Sequence, residues 1–175
     1  MATSTFGGPS ASAGALIGRR VELSWLRTRV DLALGGFPHL VIIEGEPGIG
    51  KTRLAHEALA HARRRDATVL RGRCYDHLDF SYLPFRDSLF AALAQHLVGR
   101  PGRETDVALL GQLLARGDPE GAAGETADGI EHERTRQLLA LTELVLEYAR
   151  DTPSVLFVDD IDWADTASVD LLRHL

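Results

Sequence analysis

Lysine is almost missing from this 175-residue chain: of nineteen lysines and arginines, one, Lys51, is lysine. Cysteine is as scarce, with Cys74 alone, which excludes an internal disulfide and argues against a thiolate metal site. No apolar run approaches the ~18–20 residues of a membrane span. The N-terminus lacks the basic start and apolar centre of a signal peptide, so the expectation is a cytoplasmic protein without membrane contact. Positive charge is not in excess either: the net charge of −6 and a pI near 5.6 argue against direct nucleic-acid contact by this segment. The seven histidines are scattered without ligand spacing and read as surface or helix residues, not zinc ligands.

What is present is enough for one domain, since 45% of the residues are hydrophobic. Its most informative stretch is Leu40-Val41-Ile42-Ile43-Glu44-Gly45-Glu46-Pro47-Gly48-Ile49-Gly50-Lys51-Thr52. An apolar, β-branched run breaks into G-x-x-x-x-G-K-T and then into a helical pattern from Arg53 to Arg64, the strand-loop-helix setting of a P-loop, or Walker A motif. Gly45, Gly48 and Gly50 let the chain curl so that backbone N–H groups face phosphate oxygens, and the helix start adds its positive dipole end. Residues 45–53, including Glu46, Pro47, Ile49 and Arg53, are therefore expected to bind a nucleotide. Lys51 is expected over the β- and γ-phosphates of ATP and the Thr52 hydroxyl on Mg²⁺. A chain that otherwise uses arginine for its cations has put its one compact ammonium at this position.

The rest of the chain reads around that loop. Residues 1–15 are low-complexity and expected to be a disordered leader. Leu16 to Leu34 has helical spacing, stopped by Gly35-Gly36, and Ala67–Arg71 reads as a short strand. Tyr75, Phe80, Tyr82 and Phe85 surround Pro84 and are expected to be core packing for a helix over 86–98, with a base-stacking or partner-binding patch as the alternative. Residues 99–130 read as a variable insertion, with a short helix over 105–116 and a long acidic loop over 121–129. Arg134, Leu138, Leu141, Leu144, Val145 and Tyr148 then trace one face of a helix ending near Arg150. After Pro153, Ser154–Val158 reads as a buried parallel strand ending in Asp159-Asp160, a Walker B arrangement. Behind a P-loop, Asp159 is expected to hold Mg²⁺ and Asp160 to orient or deprotonate the attacking water.

Leu16-Ile17-Gly18-Arg19 with Glu22-Leu23, the loop 45–52, Gly72-Arg73-Cys74 with Leu83-Pro84-Phe85, and Asp159-Asp160-Ile161-Asp162-Trp163-Ala164-Asp165 followed by Ser168 together resemble a known family. It is the AAA-like, STAND-class P-loop ATPase domain of bacterial regulators, fused to LuxR-type helix-turn-helix domains (MalT-like) or to nucleotide cyclases. The resemblance covers residues 16–175 and implies a three-layer α/β/α fold with a parallel sheet of strand order 5-1-4-3-2. It implies that Ile17 and Gly18 approach the adenine, and that the domain is a slow ATP-hydrolysing switch acting on C-terminal effector domains or through self-association. By that comparison the chain is the N-terminal part of a longer protein, stopping after the Walker B strand and its following helix. A nucleotide-binding switch without useful hydrolysis is the alternative, and a small-molecule phosphotransferase a more distant one.

The lone lysine gives the first test. Lys51→Arg keeps the charge but replaces a point cation by a broad planar one, and should weaken Mg·ATP binding measured by calorimetry. Unchanged affinity would contradict the reading of that position.

Overall fold

The apolar run before Asp159 finds its partner in the stretch after the second helix. In a computed structural model, which describes residues 18–77, 80–115 and 127–175, Thr68–Arg73 (β1) and Ser154–Asp159 (β2) form a parallel pair. The register runs from Thr68 opposite Ser154 to Arg73 opposite Asp159. The helices are α1 (Arg20–Leu34), α2 (Lys51–Arg64), the single turn α3 (Leu83–Phe85), α4 (Ala91–Leu97), α5 (Glu104–Ala115), α6 (Ala127–Asp151) and α7 (Thr166–His174). A π-helical turn, Arg86–Phe90, joins α3 to α4, and a 3₁₀ turn, Ile161–Trp163, leads from β2 towards α7.

Two apolar clusters hold these elements. In the larger, Phe85, Leu89, Phe90 and Leu93 meet Leu110 and Leu113 of α5, Leu141, Leu144, Val145 and Tyr148 of α6, Leu171 of α7 and Leu70 of β1. The α6 positions repeat at three and four residues, which places them on one face, and each fully buried Leu or Phe stabilises the fold by about 2 kcal/mol. In the smaller, Leu26 of α1 and Leu54 and Ala58 of α2 close over Val41 and Ile43, with Leu23 at the margin. This second cluster fixes the chain entering the glycine-rich loop.

Several expectations change. Leu40–Glu44 alternates as a strand does, with Val41 and Ile43 inward and Leu40 and Ile42 exposed, yet it is not a strand of the sheet. An extended segment becomes a strand only when another backbone hydrogen-bonds to it, and among the described residues none does. For the same reason β2 is half-buried along its length, not sealed on both faces. The described sheet is the β1–β2 pair, and the five-strand order is not seen. β1 runs two residues past Arg71, because its pairing with β2 continues to Asp159. The expected loop over 121–129 is helical from Ala127, and its earlier part lies outside the described residues, as does the expected leader over 1–15. The aromatics divide: Tyr82 and Phe85 are core, whereas Tyr75 and Phe80 are exposed. Among the described residues, no helix is long and apolar enough to cross a membrane.

Gly72 shows how closely α3 lies on β1. A Cβ there would stand 1.9 Å from the Pro84 carbonyl oxygen and 2.8 Å from its carbonyl carbon, both backbone atoms. Gly72→Ala should therefore destabilise the fold by about 3 kcal/mol, read as a lower urea midpoint, because neither backbone can yield cheaply. Pro84→Ala, which leaves that carbonyl in place, should not relieve the clash in the double variant.

Candidate functional site

The loop preceding α2 turns on three residues with positive φ: Gly45 at 147°, Gly48 at 81° and Gly50 at 92°. Gly50 matters most, since it is the left-handed cap of α2 and its carbonyl accepts the Leu54 N–H at 2.9 Å. No side chain caps this end. The first N–H groups of a helix have no acceptor within it, so those of Lys51, Thr52 and Arg53 leave the positive end of α2 facing into the loop. The Lys51 ammonium lies back across the loop, donating to the carbonyls of Gly45 at 2.8 Å and Glu46 at 3.0 Å.

Thr52 joins this loop to the sheet. Its hydroxyl donates to Oδ1 of Asp159 at 3.2 Å, and the same oxygen accepts the Asp160 N–H at 3.2 Å. Asp159 is the last residue of β2, and its carbonyl accepts the Cys74 N–H, which ties it to the end of β1. Asp160 follows in a left-handed conformation, φ 55°, one that Asp tolerates better than most residues. Its Oδ2 is gripped by Arg73, from Nε at 2.9 Å and Nη2 at 2.8 Å, while the Arg73 guanidinium lies over the Tyr75 ring at 5.8 Å. That hydrogen bond, then the carboxylate charge, raises the guanidinium's proton affinity further above its ordinary range.

The polar set continues behind the site. Asp165 caps α7 by accepting the Ser168 N–H at 2.8 Å and the Ser168 hydroxyl, and it also accepts the Tyr82 N–H at 3.2 Å. One carboxylate thus fixes the chain after β2 to the turn before α3. Burial, with the charge of Asp165 next, pushes the Tyr82 phenol up to about 12. Cys74 is buried beside the same carboxylates. Desolvation first, then Asp165, Asp160 and Asp159, push its thiol up to about 11.

Thr52 and Asp159 therefore meet at the C-terminal end of the strand pair, and Lys51 and Asp160 are their neighbours in the chain. Gly45, Glu46, Pro47, Gly48, Ile49 and Gly50 form the adjoining loop, and Arg53 is exposed on the first turn of α2. Gly18, at φ 86°, precedes α1 and makes no part of this hydrogen-bonded set, and Ile17 lies outside the described residues. Arg73 and Asp165 belong to the set although neither was expected there. The signal for Arg73 is its position opposite Asp159, visible only once the strand register is known. Among the described residues, no group of three His, Cys, Asp or Glu side chains could hold a metal. One hydroxyl and one carboxylate are nevertheless the kind of partial oxygen set that suits Mg²⁺ when phosphate oxygens and waters complete the shell.

The family model of the AAA ATPase domain matches residues 15–175. An uncharacterized protein of Rhizobium meliloti (strain 1021) is 30% identical over 178 residues, an alignment that takes in 91% of this chain and 17% of that protein. The chain thus spans about a sixth of the length of this curated relative. No solved structure matches.

The buried thiol gives a test of this geometry. A shift to about 11 implies that alkylation of native Cys74 by iodoacetamide at pH 8 is at least about a hundredfold slower than in the unfolded chain. Because the folded-state value is raised, the contribution of Cys74 to stability is complete below about 9 and is lost as pH rises through about 11. The difference in unfolding free energy between the wild type and Cys74→Ala should move in that window. Equal alkylation rates in the native and unfolded chains would contradict the packing described.

Proposed function

The chain belongs to the AAA ATPase domain family, and we propose that it binds ATP with Mg²⁺ where the glycine-rich loop meets Asp159 and hydrolyses it slowly. The observation that carries this reading is the Thr52–Asp159 hydrogen bond, which joins two residues 107 positions apart at the end of β2. A magnesium ligand set drawn from a P-loop and a strand end requires that proximity.

In this reading the N–H groups of the loop and of the first turn of α2 hold the phosphates. Lys51 exchanges its two loop carbonyls for phosphate oxygens, staying within reach because its stem is flexible. Thr52 and Asp159 hold the cation, Thr52 through its hydroxyl and Asp159 through its carboxylate or a water upon it. Mg²⁺, when bound, neutralises charge on the phosphate oxygens. Asp160 orients a water towards the terminal phosphorus and takes up its proton as the bond to the bridging oxygen breaks, giving ADP and phosphate. Ile17 and Gly18, in the stretch Leu16–Arg19, are the residues assigned to the adenine.

Membership in STAND-class, MalT-like or cyclase-fused regulators belongs to the same proposal, and so does the strand order 5-1-4-3-2. The nucleotide state would then control effector domains or self-association. One observation favours the alternative of a binding switch with little turnover: Oδ2 of Asp160 is engaged by Arg73.

Phosphate release and calorimetric nucleotide affinity in the wild type and Asp160→Asn separate the two. Hydrolysis through Asp160 predicts a fall in turnover of at least about a hundredfold with Mg·ATP affinity nearly kept. No measurable Asp160-dependent turnover, with Mg·ATP affinity kept, leaves the binding switch.

A further inference from the structure

Asp165 also lines a cavity of about 340 Å³, enclosed by α5, α6, α7 and the turn before α3. Small-molecule sites run from ~300 to 1,000 Å³. Tyr82 stands in the wall of this cavity, and two features set it apart. Its backbone holds φ at 60°, a left-handed value that is rare for a bulky side chain and that concentrates at ligand-binding and active sites. The residue is 5% exposed, yet among the described residues its phenol oxygen makes no hydrogen bond. Buried polar groups are nearly always paired, so a phenol left this way has a place for a partner from outside the chain. The charges that act on it are those of Asp165, Asp170 and Arg134, all three on the cavity wall. Asp165 is committed to the N–H groups of Tyr82 and Ser168, and Asp170 meets Arg173 only at 3.5 Å. Among the described residues Arg134 has no ion pair, and neither has Glu131, three residues before it on α6 and on the same wall.

The chemistry of the wall selects a class of ligand. A purely anionic molecule would be repelled by Glu131, Asp165 and Asp170, and a purely cationic one by Arg134. An uncharged molecule would cover these groups without a counter-charge, which costs desolvation. A zwitterion meets both signs, and Leu113, Leu138 and Ala167 supply an apolar part of the wall. We propose that this cavity binds an α-amino acid with an apolar side chain, its carboxylate on Arg134 and the Tyr82 O–H and its ammonium on Glu131 or Asp170. The site is separate from the glycine-rich loop and does not depend on nucleotide binding there.

The test is calorimetric titration of the full chain, without nucleotide, by L-leucine, L-methionine and L-phenylalanine in turn. At least one of them should bind. For each that binds, the analogue without the ammonium and the analogue without the carboxylate, isocaproate and isoamylamine in the case of leucine, should bind at least about tenfold more weakly. Arg134→Gln should weaken binding by at least about tenfold and Tyr82→Phe by about fivefold. Both substitutions remove polar groups that have no hydrogen-bond or ion-pair partner among the described residues, so the melting temperatures without ligand should match the wild type. Absence of binding by all three amino acids at millimolar concentration overturns the proposal. Binding that survives both substitutions, or an analogue that binds as tightly as its parent, overturns it as well.

Discussion

A hydroxyl and a carboxylate 107 positions apart meet at 3.2 Å, and most of the structure is arranged so that they can. Thr52 is placed by α2, whose first turn is set by the left-handed Gly50. Asp159 is placed by β2, whose register against β1 runs unbroken to that residue. β1 is in turn seated against the turn at Pro84, where the approach to Gly72 leaves no room for a side chain. Errors in any of these placements would be felt at the contact, since an interaction at this distance tolerates little displacement.

The site lies between two apolar clusters. One joins α1 and α2 over Val41 and Ile43, and the other gathers the sheet with α4, α5, α6 and α7. Side chains from α2 cross between them: His56 meets Phe157 of β2 edge-on, and Thr52 meets Asp159. Polar chemistry placed between the two apolar clusters is within reach of elements belonging to both. The side chains in place are already occupied by one another. Lys51 is held by its own loop and Asp160 by Arg73, so ligand binding would proceed by exchange of existing bonds.

Much of this was legible in the sequence, and the missing parts have physical causes. The G-x-x-x-x-G-K-T spacing located the loop and the start of α2, because glycine position alone determines where the chain can curl. The apolar run ending at Asp159 located β2, and the repeat on α6 located its buried face. Arg73 was not legible as a partner of Asp160. Its role depends on how far two strands pair, which is decided by the neighbouring chain and not by local propensity. The same holds for Leu40–Glu44, whose alternation announces a strand but whose ladder depends on a second backbone. Asp165 could be read as a helix cap, yet its hold on the Tyr82 N–H crosses 83 positions and has no local signature.

The central claim is that Thr52 and Asp159 act as one ligand set. A double-mutant cycle on Mg·ATP affinity, using Thr52→Ala, Asp159→Ala and the pair, with and without magnesium, tests it most directly. The account predicts that each single change removes most of the magnesium-dependent affinity and that the double variant loses little more, a coupling of about 1–2 kcal/mol that disappears without the metal. Losses that simply add, or that are equal in the presence and absence of magnesium, would contradict it.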